Sequence, residues 1–304
     1  VAWTLDSRDD GPVNREPLDV ESLRRTLCRP AGPLARLDVV GATASTSSDL
    51  ADRVRAGSAR SPAALAAEHQ TAGRGRAGRT WQTPARAALT VSFLLRPQIP
   101  RTAFGWVPLV AGLAVVRTLA VLGCDARLKW PNDVLLPAAT PVEGLGAHRK
   151  VAGVLAEVVP DGGAPTEPPA VVVGIGTNVS QRADELPVPT ATSLALAGAA
   201  ADRTALLVGL VHELTAAVGR LEAAAGDAAA AGLAQEYAAA SATLGTRVRA
   251  ELAGGDDVVV GTADRVADDG ALVLATPGGE RVVTAGDVHH LRAHPSPDVQ
   301  GAPR

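Results

Sequence analysis

Between Leu37 and Leu221 short runs of β character alternate with helical stretches, and after Leu244 the helical pattern stops. That order restricts the chain to a mixed α/β domain followed by a small all-β one. Strands are expected over 37–40, 64–68 and 88–95, the last closed by Arg96 and Pro97, with a helix over 48–56 capped by Ser47 or Ser48. A buried helix over 106–122 precedes strands over 126–129, 134–136, 151–159 and 170–175, the last two joined by a turn-rich connection over 160–169. Leu207, Leu210, Val211, Leu214, Val218 and Leu221 then recur at helical spacing, so 204–221 should lay one apolar stripe on the sheet. The alanine-rich stretch 223–240 is expected to continue as helix despite Gly226 and Gly232. Strands over 247–252, 258–266, 271–276 and 280–285, separated by glycine-bearing turns, predict a small barrel of about 50 residues.

The resulting division is a partly ordered leader over 1–36, a main domain over 37–243, a β domain over 244–294 and a polar tail over 295–304. The leader holds one short possible helix over 20–27 and no basic segment followed by an apolar run, so no secretory signal is read there. It is too short for a helix-turn-helix module of about 60 residues, which disfavours DNA binding. The 304 residues are 46% apolar and 20% charged, enough for one large core and a smaller appended one. A net charge of -3 gives no general drive toward nucleic acid. Cys28 and Cys124 lie far apart without zinc-ligand spacing, which fits a reducing cytoplasm. The run 106–122 contains Pro108 and Arg117 and is shorter than the roughly 20 residues of a bilayer span, so no membrane role is expected.

Four segments carry chemistry. Gly73-Arg74-Gly75-Arg76-Ala77-Gly78-Arg79-Thr80-Trp81 combines exposed backbone N–H groups with forked arginine donors, a pairing that can wrap a phosphate, although its spacing is not that of a P-loop. Alone it also reads, with less weight, as a solvated basic loop or an RNA-binding segment. Leu128-Lys129-Trp130-Pro131-Asn132-Asp133-Val134 groups an ammonium, an indole, an amide and a carboxylate, or else is a strand followed by an Asn-Asp turn with Trp130 in the core. In Arg149-Lys150-Val151-Ala152-Gly153 a lysine opens a β-run whose glycine permits close approach. Gly174-Ile175-Gly176-Thr177-Asn178 ends a strand in a way that could admit a flat ring against backbone and offer it an amide. Of 29 basic residues only Lys129 and Lys150 are lysine, and both fall inside these segments.

In this order the segments closely resemble the biotin protein ligase family, in a form without an N-terminal helix-turn-helix domain. The resemblance runs from Ser45 through the β-rich end. It implies an α/β (α+β) catalytic domain with the mixed sheet of the class II synthetase-like biotin/lipoate ligase fold, plus an SH3-like C-terminal barrel. It also implies ATP and biotin as substrates with Mg²⁺, and as partner a biotin carboxyl carrier domain of acyl-CoA or pyruvate carboxylases. The family reads Ser-Thr-Asn where this chain has Ser45-Thr46-Ser47, so two hydroxyls would meet the ureido ring while Ser47 departs from the pattern. Gln70, Gly73, Arg74, Gly75, Arg76 and Gly153 would also line the biotin site, with Lys150 at the biotin carboxylate and the α-phosphate. Arg74, Arg76, Arg79, Trp81, Lys129, Asn132 and Asn178 would serve ATP. Lys150, Arg76 and Asp133 are the implied catalytic groups, Asp133 as candidate base. Glu185-Leu186-Pro187 and Ala191-Thr192-Ser193-Leu194 resemble the family's segment beside the adenylate, and the 16 residues 134–149 form an insertion longer than expected.

The chemistry suits such groups, because a carboxylate attacking the α-phosphorus of ATP sets an anion against a polyanion and needs fixed positive charge. Two rivals remain. A lipoate or octanoate transferase would share the fold but would need a long apolar slot. A non-catalytic nucleotide- or RNA-binding module would use the arginine loop as its contact.

Overall fold

The computed structural model describes residues 15–160, 168–252, 258–284 and 286–291. In chain order its elements are α1 (Val20–Leu27), β1 (Arg36–Val40), α2 (Thr46–Arg55), β2 (Ala63–Ala67), the short strands β3 (Gly73–Arg74) and β4 (Thr80–Trp81), β5 (Ala88–Leu95) and α3 (Trp106–Ala120). Then come β6 (Arg127–Lys129), β7 (Asp133–Val142), β8 (Gly146–Val159), β9 (Ala170–Asn178), α4 (Arg203–Ala223) and α5 (Leu233–Ala240). The end of the chain is β10 (Arg247–Leu252), β11 (Val258–Val266), β12 (Leu272–Thr276), β13 (Gly279–Val283) and β14 (Gly286–His290).

Seven strands form one mixed sheet in the order β1-β2-β5-β9-β8-β7-β6, parallel between β1 and β2 and antiparallel elsewhere. Every residue of β5 is buried, as expected of a central strand covered on both faces. One face carries Val91, Phe93, Val154, Val173 and Ile175 into the main core, where α3 and α4 pack. On the other face α2 sets Leu50, Ala51 and Val54 on Leu65, Leu94, Val159 and Val172. Burying side chains of this size contributes about 1.5–3 kcal/mol each, so α2 is held by its stripe although its composition is polar. It covers only one end of that face. The uncovered end is the site described below.

Helix α4 is long and apolar enough to cross a membrane by length and composition alone. Its Leu207, Leu210, Val211 and Leu214 are buried in the main core, which makes it the core helix of a folded domain. The five C-terminal strands form an antiparallel sheet in the order β13-β12-β11-β10-β14, the small SH3-like domain. Two indoles fasten it to the main domain: Trp106 Nε1 donates to Ala267 O and Trp130 Nε1 to Gly270 O, each at 3.1 Å. Between them Gly105 passes so close to Asp269 that a Cβ there would lie 2.0 Å from its carbonyl oxygen.

Several expectations need correction. Residues 1–14 of the leader lie outside the described residues, but residues 15–36 are built into the main domain, with Leu18, Leu23, Leu27 and Leu34 buried in the core. The expected continuous helix over 223–240 breaks at both glycines, Gly226 at φ +90° and Gly232 at φ +70°. At Gly226 a Cβ would also meet Ala103 at 2.9 Å, so a close approach of 99–103 decides the break where alanine propensity alone would continue the helix. The insertion 134–149 takes its path as a β-hairpin that lengthens β7 and β8, with Gly144 in its turn at φ +77°. Strand β14 has no counterpart among the expected strands. Ala285, residues 161–167 of the turn-rich connection and the tail over 295–304 lie outside the described residues.

Candidate functional site

The strand registers place one residue from each strand in a single row across the whole sheet: Lys129, Asp133, Gly153, Gly176, Thr90, Ala67 and Val40. Its middle has no side chains, and the neighbouring row adds Gly174 opposite Ser92. This bare stretch of backbone is the floor of a cavity of about 150 Å³. A side chain on any of the three glycines would fill it. A Cβ on Gly176 would stand 2.5 Å from the Trp81 ring, one on Gly174 2.5 Å from Ser47 Oγ, and one on Gly153 3.1 Å from Lys150 Nζ. The flat ring that the structure sets against Gly176 and Gly153 is the indole of Trp81.

One end of the cavity is neutral and made of hydroxyls. Helix α2 starts there, and its N-cap is Ser45, earlier than the expected Ser47 or Ser48, with Ser45 Oγ accepting from Ser48 N at 3.5 Å. Ser47 Oγ lies 2.9 Å from Ser92 Oγ, which lies 2.8 Å from Thr46 Oγ1; Thr46 donates through both its hydroxyl (3.0 Å) and its backbone N–H (2.8 Å) to Gln70 Oε1. All four hydroxyl residues are buried. The chain of bonds fixes the Gln70 amide, turning its Nε2 toward Gly73, where a Cβ would lie 2.8 Å away.

The other end is charged. Lys150 Nζ lies 2.5 Å from Asp133 Oδ1 and Lys129 Nζ 4.0 Å from Asp133 Oδ2, so one carboxylate separates two ammonium groups. Burial, followed by the Lys150 charge, holds the Lys129 ammonium below the ordinary lysine range against the opposing pull of Asp133. The glycine-arginine loop leaves the sheet through the β3–β4 pairing and turns at Ala77 and Gly78, both with positive φ. Arg74 forms a bidentate pair with Glu157 at 3.0 and 2.6 Å, and Arg79 pairs with Asp287 of the C-terminal domain. Among the described residues Arg76 makes no such fork, and it lines the cavity, where burial lowers its pKa. Lys150 Nζ also sits 5.8 Å from the Trp81 ring centroid, within reach of a cation–π contact.

Most of the residues named from the sequence line this one cavity: Ser45, Thr46, Ser47, Gln70, Arg74, Gly75, Arg76, Arg79, Trp81, Lys129, Asn132, Asp133, Lys150 and Gly153. Asn132 is partly engaged, its Nδ2 donating to Val154 O at 3.0 Å. Two do not line it. Gly73 is buried against Trp81 O in the loop's stem. Asn178, expected at the adenine, spends its amide within the fold, donating to Thr192 O at 2.9 Å and accepting from Gln181 Nε2 at 2.8 Å. Glu185, Leu186 and Pro187 border a separate open cavity behind His69 and Gln70, while Ala191 bridges to Lys150 beside the main one. The sequence missed Ser92, a polar residue inside an apolar strand, and Asp287, Val288 and His289, which β14 brings to the charged rim.

A model of the biotin/lipoate A/B protein ligase family matches residues 40–178, and a model of the biotin protein ligase C terminal domain matches 243–291. The chain is 43% identical over 284 residues to biotin--[acetyl-CoA-carboxylase] ligase of Mycobacterium tuberculosis, covering 91% of this chain and 97% of that one. It is 34% identical over 230 residues to the enzyme of the same name from Paracoccus denitrificans, covering 73% and 88%. Among solved structures it is similar to the biotin protein ligase from Aquifex aeolicus in complex with biotin and ATP, with a TM-score of 0.66 at 26% identity, covering 85% of this chain and 99% of that one.

Proposed function

The chain belongs to the biotin protein ligase family, and on that premise we propose that it joins biotin to ATP as biotinyl-5'-AMP, releases pyrophosphate, and passes the biotinyl group to a lysine of a biotin carboxyl carrier domain. The observation that carries this reading is the polarity of the cavity: neutral hydroxyls at one end, cations at the other, and backbone between. The ureido ring, a neutral group with two donors and one acceptor, suits Ser45, Thr46, Ser47 and Gln70. The carboxylate then reaches Lys150, and the ATP phosphates lie under Arg74, Arg76 and Arg79, where fixed cations stabilise charge that develops in the transition state. Closure of the loop would keep water from the mixed anhydride until the acceptor arrives. In the second step the acceptor amine attacks the acyl carbon and AMP leaves, with Asp133 as the candidate base for the amine's proton. A lipoate or octanoate transferase would want a long apolar slot, and a floor of glycines and hydroxyls supports the ligase reading instead.

Among the described residues no three His, Cys, Asp or Glu side chains gather as a metal cage, and Asp133 is held by lysine. The residues present do not fit a resident magnesium ion, so no step is assigned to one; Mg²⁺ belongs with the nucleotide's own phosphates. The carrier domain is that of an acyl-CoA or pyruvate carboxylase and the setting cytoplasmic. Purified protein given biotin, ATP and magnesium should release pyrophosphate and label a carrier domain. Transfer of lipoate or octanoate, with labelled biotin never reaching the acceptor, would overturn the reading.

A further inference from the structure

The two segments that carry the charged end of the cavity are held from one point in the C-terminal domain. Trp130 N–H, between Lys129 and Asp133, donates to Thr243 Oγ1 at 3.1 Å, and Thr243 Oγ1 lies 3.1 Å from His290 Nε2. The backbone N–H of His290 donates to Gly144 O at 3.1 Å, in the turn of the hairpin whose strands carry Asp133 and Lys150. Thr243 and Trp130 are buried, so these bonds do not exchange freely with water. We infer that His290 is a positioning residue for the charged end: its imidazole, through Thr243, and its backbone, through Gly144, set Lys129, Asp133 and Lys150 in register.

The direction of the bonds is dictated by chemistry. A peptide N–H can only donate, so Thr243 Oγ1 accepts from Trp130 and keeps its own proton to give. Among the described residues the acceptor it meets is His290 Nε2, so a neutral ring with its hydrogen on Nδ1 satisfies the hydroxyl proton, whereas the other tautomer would donate to the second lone pair of the same oxygen. The surroundings favour that form. Burial first, then the charges of Lys129, His148 and His289, push the imidazole down to about 4, and on the adjacent strand β10 its register partner Val248 lies between Arg247 and Arg249. A protonated ring would turn from acceptor to donor and release the Thr243 hydroxyl. The same strand carries Asp287 to Arg79, so β14 touches the loop and both lysine-bearing segments at once.

This role rests on the ligase reading, and a full-length Thr243→Val variant beside Thr243→Ser tests it. In single turnover, Thr243→Val should form adenylate about tenfold more slowly with the KM for biotin changed less than about twofold, and Thr243→Ser should recover to within about threefold of wild type. Equal rates in wild type and Thr243→Val, or a loss that serine fails to restore, would overturn it. Should the valine variant not fold, ¹⁵N-histidine NMR of the wild type decides: the His290 ring should be neutral and held in one tautomer near pH 7, and a ring that is cationic there or averages between tautomers would contradict the proposal. A wild-type chain that forms no adenylate defeats the ligase reading itself, whereas an active one with unperturbed Thr243→Val defeats only the positioning role.

Discussion

The two ends of the cavity are built in opposite ways. At the hydroxyl end Ser45, Thr46, Ser47, Ser92 and Gln70 come from elements already packed together, and hydrogen bonds within the fold settle their orientation before any ligand arrives. At the charged end Lys129, Lys150, Arg76 and Arg79 come from three segments, and carboxylates of the protein, Asp133 and Asp287, stand among them, Asp287 from the second domain. Removing like charges from water is costly unless they are paired, and Asp133 and Asp287 supply that pairing for Lys129, Lys150 and Arg79. A preorganised neutral end serves recognition, and a charge cluster that exchanges its own carboxylates for phosphates serves chemistry. The same ammonium groups can stabilise a transition state only if the ligand's phosphates compete with Asp133 for them.

That contrast predicts where mutations act. The largest effect is expected from Lys150→Ala, which removes the cation at the reacting atoms: adenylate formation in single turnover should fall by about a hundredfold or more, with the KM for biotin little changed. Near-normal adenylation would remove Lys150 from the mechanism. A smaller effect of the other kind is expected at the neutral end. Thr46→Val keeps the shape but removes one of the two hydrogen bonds at Gln70 Oε1 and one of the two at Ser92 Oγ, at a cost of about 0.5–1.5 kcal/mol each. Its signature should be a KM for biotin raised about tenfold or more with kcat nearly kept. A loss of kcat equal to that of Lys150→Ala would erase the distinction between the ends.

The two ends also differ in how far the sequence revealed them. The strand at β5 was legible with its observed bounds because eight buried residues carry a strong local signal, and the lysines stood out because the chain has only two. The row of Lys129, Asp133, Gly153, Gly176 and Thr90 was not, since it depends on the register of strands far apart in the chain. Local signals also leave partners unseen. The Asn178 amide bonds Thr192 O and Gln181 Nε2, a pairing that the turn itself does not reveal. Strand β14 carries one buried apolar residue, Val288, between polar ones, and only pairing with β10 makes it a strand. Asp287 and His290 were invisible for that reason. Ser92 reads as a flaw in an apolar run until its hydroxyl is found bridging Thr46 and Ser47.

The central claim is that one cavity holds a neutral ring at the hydroxyl end and the reacting groups at the charged end, and a crystal structure of the protein grown with biotin and ATP tests it most directly. The account predicts the ureido ring against Ser45, Thr46 and Gln70, the acyl phosphate between Lys150 and Arg76, and Asp133 drawn away from at least one of its lysines. A ring bound among the lysines, or an acyl phosphate beside Ser47 and Ser92, would contradict it.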